Sequence, residues 1–303
     1  MLAYFCRKEW FTFSKSSMLF VTHILIHSVE HALKDSLYIL PFLFITYLMM
    51  EYLEEKTSDK TNLWLQKAGK AGPIFGGILG IIPQCGISAV ASNMYAGRII
   101  SVGTLMAVFL STSDEMLPVM IANGSNFALI GKIIIIKMLI AVLAGILIDY
   151  VVKIMNFKQK IENKIHDFCE HEHCQCEDGM LKSALRHTVK VFLFVFIITF
   201  IFDIGMELIG EDVLTHFIMN KPVLGPILSA MIGLIPNCAS SIVITQMYLK
   251  GLITFGTLLA GVLAGAGVGI LVLLRVNEKK TESVKIIGIL YLIGVICGIL
   301  FNM

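Results

Sequence analysis

Residues 80–88 read GIIPQCGIS and residues 233–241 read GLIPNCASS. Each stretch gathers a carboxamide (Gln84, Asn237), a thiol (Cys85, Cys238) and a hydroxyl (Ser88, Ser241) behind a proline, inside otherwise apolar sequence. Thiolate sulfur is a soft metal ligand, and amide and hydroxyl oxygens are hard ones. The set suits a binding tip for a metal or metalloid. A simpler alternative has Pro83 and Pro236 kinking two ordinary helices, with the cysteines as small apolar fillers. One copy leaves the two alternatives balanced. Two copies in register favour the tip.

A second group interrupts another apolar stretch. Residues 111–117 read STSDEML, which sets Ser113, Asp114 and Glu115 side by side. Ionisable groups within a membrane are costly and mark ion or proton sites. The pair would bind a cation or exchange protons, unless it lies shallow and solvated near the NGSN loop at 123–126. Glu51, near the end of the apolar run 36–53, adds a carboxylate that could reach the same cavity.

The third group is polar throughout. Residues 166–179 read HDFCEHEHCQCEDG and offer His166, Cys169, His171, His173, Cys174 and Cys176. Imidazole and thiolate together suit Zn, Cu(I), Ni or Co. The spacing is not that of a zinc finger, which points to a metal-collecting or sensing segment. Upstream, His23, His27 and His31 recur every four residues beside Glu30. They form either a metal or proton face or the polar stripe of an interfacial helix.

These groups sit in an apolar chain. Of 303 residues, 56% are hydrophobic and 15% charged, against about 25% charged in soluble domains. Runs at 36–53, 99–122, 127–152, 187–209, 252–274 and 286–302 approach or exceed the roughly 20 residues that cross a bilayer as a helix. The fold class is an all-α polytopic membrane protein. The N-terminus lacks the short apolar core and small-residue cleavage site of a signal peptide. Seven cysteines, four of them in or beside apolar runs, do not make a disulfide framework.

The chain is also a duplication. Aligned without a gap, 72–110 and 225–263 agree at 17 of 39 positions, including Gly72, Pro73, Gly80, Pro83, Cys85, Ser88, Tyr95, Gly103, Thr104 and Leu105. Apolar composition alone does not bring Pro, Cys, Tyr and Gly into register. The organisation read from this is an N-terminal amphipathic or extra membrane helix over 1–34, a first repeat over 35–153, a linker over 154–181 and a second repeat over 182–303.

Membrane repeats are parallel or inverted, and the distribution of Lys and Arg distinguishes them. Segment 72–97 is too short for two spans, so it either crosses once or dips in and returns. If it dips, each repeat has three spanning helices and a re-entrant or broken hairpin, and the repeats are inverted. Loops 54–70, 98, 153–186 and 275–285 then share one side and carry 15 basic residues, against Lys34, Lys221 and Lys250 on the other. The parallel alternative sets the lysine-rich linker opposite the lysine-rich loop 54–70. The inverted arrangement is the expectation, with the linker cytoplasmic.

Such hairpins hold non-helical backbone at membrane depth, which survives only when buried in protein or lining a cavity. The prolines would end the incoming half-helices, and Gly86 and Ala239 would let the chain turn. Secondary transporters with inverted repeats bind substrate where such tips meet.

The paired tip motifs with STSDE resemble the ten-helix heavy-metal exporters, a group of bacterial inner-membrane permeases related to arsenical permeases and also called manganese transporters. The resemblance spans nearly the whole chain, linker included. It implies efflux of a metal or metalloid, with Pro83, Gln84, Cys85, Ser113, Asp114, Glu115, Pro236, Asn237 and Cys238 as the positions carried over. Its ten helices count each hairpin as two.

Together these readings lead to a secondary transporter that exports a divalent transition metal or thiophilic metalloid. No resident cofactor is required, since the transition metal is the substrate. No Walker motif is present to drive transport with ATP. A proton-coupled anion carrier, with anions held at helix N-termini, is the alternative. Catalysis is not expected, because neither hairpin holds a histidine to activate Cys85 or Cys238. The partners are the lipid bilayer and the ion, with no nucleic acid; a homodimer is left open.

Overall fold

The computed structural model describes residues 71–82, 85–112, 116–154, 180–209, 223–277 and 279–302, with isolated helical positions between 29 and 48. The described segments are helical, and no strand occurs among them. In the first unit the helices are α1 (Gly72–Leu79), α2 (Cys85–Ala96), α3 (Val102–Ser111), α4 (Met116–Ala122) and α5 (Phe127–Ile154). Helix α6 (Met180–Ile209) follows. The second unit holds α7 (Leu224–Gly233), α8 (Cys238–Leu249), α9 (Phe255–Ala264), α10 (Val268–Val276) and α11 (Lys280–Leu300).

The duplication read from sequence is a structural one. In the first unit α1, α3 and α5 pack on one another, and in the second α7, α9 and α11 do the same. In each unit two helices approach through small residues, which lets backbones come close where lipid offers no hydrophobic drive. A Cβ on Gly103 would collide with the Gly145 carbonyl, and a Cβ on Gly256 would collide with the Gly298 carbonyl. Ser101 caps α3 by accepting from the Thr104 N–H at 3.1 Å, and Thr254 caps α9 by accepting from Thr257 at 3.4 Å. Both caps satisfy an end N–H that has no partner within its helix. Next to the caps, Asp149 accepts from the Gly103 N–H at 2.8 Å, and Asn302 accepts from the Gly256 N–H at 3.0 Å.

Between units the helices exchange. Helix α2 packs on α10 while α8 packs on α4, and α3 packs on α11 while α9 packs on α5. These two kinds of cross pair each occur twice with the roles of the units reversed, and α3 also packs on α9.

The long helices sort by exposure. In the stretches Val102–Ala122 and Phe255–Val276 the apolar windows are 73% and 83% buried, against 22% in α5 and 28% in α11. All four are long and apolar enough to cross a membrane. Leu139, Leu143 and Leu147 line the outer face of α5, one turn apart and exposed, as lipid-facing residues should be. Its inner stripe is Ile130, Ile133, Lys137, Ala141 and Gly145. The matching stripe of α11 is Ser283, Ile286, Leu290, Gly294 and Gly298, the same register 153 positions later.

Both buried stretches are broken. The first stops at Thr112, with ψ 128°, and resumes at Met116. The second stops at Gly265, with ψ 85°, and resumes after Gly267, whose φ of 53° suits a residue without a Cβ. From sequence 99–122 and 252–274 read as single apolar spans, with the first interrupted by charge. The glycines of AGAGV prove to break the second as well.

Candidate functional site

The two proline tips form as half-helices. Helices α1 and α2 rise about 12 and 18 Å at 1.5 Å per residue, and neither alone crosses the roughly 30 Å apolar core. The turns lie earlier than the sequence suggested. After Leu79 the backbone tightens, with Ile81 N–H bonding Ile78 O at 3.3 Å and Ile82 N–H bonding Leu79 O at 3.2 Å. Pro83 follows and has no N–H to continue the series. In the second unit Ile235 N–H bonds Ile232 O at 3.0 Å before Pro236. Gly86 and Ala239 therefore lie inside α2 and α8, not in the turns. Cys85 and Cys238 become the first residues of those helices.

Each tip abuts the break of its own unit. A Cβ on Gly80 would collide with Ser111 Oγ and lie 2.7 Å from the Val108 carbonyl. In the second unit a Cβ on Gly265 would sit 3.5 Å from Ser241 Oγ and 3.6 Å from the Gly233 carbonyl. Glycine at position 80 is what lets the first tip and its broken helix touch, whereas a Cβ at Gly265 would make only ordinary contact with the second tip.

Asn237 is buried in the second tip, where its backbone N–H bonds Ile235 O at 2.7 Å and its carbonyl accepts from Ser240 Oγ at 2.7 Å. Ser241 is half-buried beside the second break. Ser88 is buried in α2, and a Cβ on Gly269 of α10 would sit 2.7 Å from its Cβ. Ser92, one turn on, donates to Ser88 O and Gly269 O, each at 2.8 Å. Gln84, Ser113, Asp114, Glu115 and Glu51 lie outside the described residues, as do Pro83, His166, Cys169, His171, His173, Cys174 and Cys176. The side chains of Cys85 and Cys238 also lie outside them. Among the described residues no three His, Cys, Asp or Glu side chains gather as a metal site.

Sequence reasoning missed the charge at the centre. Lys137 is fully buried in α5, ten residues from its start, so about 15 Å along the helix. Its ammonium donates to the Thr112 carbonyl, where α3 breaks, and to the Val262 carbonyl at 3.1 Å, in the last turn of α9. The break frees Val262: Ala266 N–H, its partner in an unbroken helix, bonds Ala264 O at 3.0 Å instead. One lysine thus caps the C-terminal ends of both broken helices. The equivalent position in the other unit is Leu290, equally buried. The signal was a lone lysine in an IIIIKMLIAVL run, which counting spans by hydropathy passes over.

Two clefts open elsewhere. One of about 350 Å³ is lined by Asn123, Gln246, Leu249 and Lys250. Another of about 260 Å³ lies between α1, α2 and α3 and is apolar, with Phe75, Leu79, Met94 and Val108 on its wall. At the opposite end of α2, Arg98 pairs with Glu282 of α11 at 3.0 Å.

Broken helices from the two units meet around the buried Lys137, and four helices are long and apolar enough to cross a membrane, as in a multi-pass membrane protein. The family model described as "Putative, 10TM heavy-metal exporter" matches residues 22–204 and 187–303, and the chain belongs to that family. No curated protein and no solved structure matches the chain.

Proposed function

We propose that the protein is a secondary transporter of the bacterial inner membrane. It exports a divalent transition metal, manganese or a similar ion, or a thiophilic metalloid such as arsenite. The observation that carries this reading is the convergence of two broken helices on Lys137, next to two proline tips. Substrate binds between the tips at the bilayer midplane. Cys85 and Cys238 supply soft ligands, and Gln84, Ser88, Asn237 and Ser241 supply oxygen. Ser113, Asp114 and Glu115 bind the cation or exchange protons, with Glu51 as a further carboxylate. His166, Cys169, His171, His173, Cys174 and Cys176 collect metal on the cytoplasmic side. No resident cofactor takes part.

The repeats are read as inverted. Two neighbourhoods support this. Arg98 touches Glu282 of α11, and Asn123 shares a cleft with Lys250. An inverted pair puts 98 with 275–285 on one face and 123–126 with 250 on the other. A parallel pair would separate both.

A proton-coupled anion carrier is the second reading, and the buried positive charge of Lys137 favours it. Challenge of expressing cells with manganese, zinc, arsenite and, separately, oxyanions distinguishes the two. Raised tolerance to a metal or to arsenite is the expected result. For soft ions that tolerance should vanish when Cys85 and Cys238 are both replaced by Ser. Unchanged export by the double variant removes the thiols from the site, and tolerance confined to oxyanions other than arsenite makes the protein an anion carrier.

A further inference from the structure

We propose that Lys137 is the carrier's internal counter-cation, which occupies the empty site and yields its place to the substrate. The proposal rests on the cation-export reading. A lysine at the middle of a membrane helix costs free energy unless its charge is matched. Two backbone carbonyls meet part of the charge of Lys137. Each helix C-terminus carries about half a negative charge. The Thr112 carbonyl is one end, and the Val262 carbonyl is the other. They belong to different units, so the same ammonium also ties the units together when no ion is bound.

A metal ion drawn to these helix ends carries more charge than an ammonium. It and Lys137 repel, and both cannot hold the same two carbonyls. Loading therefore moves the lysine off the carbonyls, with its charge unchanged, and unloading lets it return. The empty carrier can then rearrange without exposing two orphaned carbonyl ends, each of which is costly to leave unmade in a dry interior. Net export requires the empty carrier to return. Exchange of one bound ion for another does not, because the site is filled in both directions. The asymmetry between units fits this role: Leu290, in the equivalent place, has no charge to exchange.

The test uses the full chain in proteoliposomes, with Mn²⁺ and Zn²⁺ as probes and isotopically enriched metal as tracer. Lys137→Met keeps the side-chain bulk and removes the charge. In this variant net efflux should fall about tenfold or more, the factor equal to 1.4 kcal/mol, and should fall by more than tracer exchange does. The KM for exchange should fall, because the built-in competitor is gone. Lys137→Arg, which keeps the charge, should restore net efflux. Wild-type net efflux in Lys137→Met overturns the proposal alone. So does equal loss of efflux and exchange in a variant whose melting profile shows it folded, since that marks a purely structural lysine. Absence of exchange in the wild-type protein for both ions removes the cation-export reading itself, and the proposal with it.

Discussion

The first unit and the second share a scaffold and differ in charge. Both have a capped helix at the same offset, the same glycine approaches and the same break in the buried helix. Yet the first unit has Lys137 where the second has Leu290, Asp149 where it has Asn302, and Ser113-Asp114-Glu115 where it has glycine-rich neutral sequence. At these three places geometry was kept in both copies and ionisable side chains in one. The duplicated parts build the packed scaffold, and the unmatched parts make the two units chemically different. A symmetric pair of charged sites would place two sets of like charges in one low-dielectric centre, where the cost of each rises sharply.

Giving the second unit the first unit's charge should have the largest effect. Leu290→Lys buries an ammonium in a stripe that holds only Ser283, Ile286, Gly294 and Gly298 beside it. An unmatched buried charge costs about 3–5 kcal/mol, a large part of the roughly 5–15 kcal/mol that holds a domain together. Little monodisperse protein should survive detergent extraction. Wild-type yield would mean that a charge on the inner stripe of α11 also finds partners, and the two units would be equivalent after all.

The helix clips come next. Asp149 accepts from the Gly103 N–H at 2.8 Å and from Ser101 Oγ at 2.7 Å. Asp149→Ala leaves that N–H without an acceptor and should cost about 1–3 kcal/mol. Asp149→Asn copies the clip of the second unit and should cost about 1 kcal/mol or less. Thermal melts of the two variants side by side check the order. If the alanine and asparagine variants melt together, the charge and not the hydrogen bond holds the clip.

Smallest is the difference between the caps. Ser101→Ala and Thr254→Ala each remove an N-cap worth about 1 kcal/mol. Ser101 also donates to Asp149, so its loss should lower the melting temperature more than that of Thr254. Equal shifts would show that the Ser101–Asp149 bond adds nothing to the first unit.

Much of this scaffold was legible in the sequence. Glycine recurred in register because close backbone approaches leave no room for a Cβ, and proline because each incoming half-helix ends just before it. The break at Thr112 was visible as polar residues in an apolar run. The break at Gly265–Gly267 was less so, because glycine inside an apolar run also serves ordinary close packing. The turn positions shifted because the last helical turn tightens before each proline, so the chain bends ahead of Gly86 and Ala239. Lys137 was hard to read as a site because two of its partners are carbonyls. Thr112 O and Val262 O lie 25 and 125 residues away, and no side-chain type marks a backbone oxygen left over by a broken helix.

The most direct test of heavy-metal export is the elemental content of cells, measured by mass spectrometry. Cells with the wild-type protein are compared with cells carrying Asp114→Asn, under manganese, iron, cobalt, zinc and arsenite challenge. Depletion of one element by the wild type, lost in the variant, is the predicted result and names the substrate. No change in any element contradicts metal export and leaves the anion carrier as the account of the site.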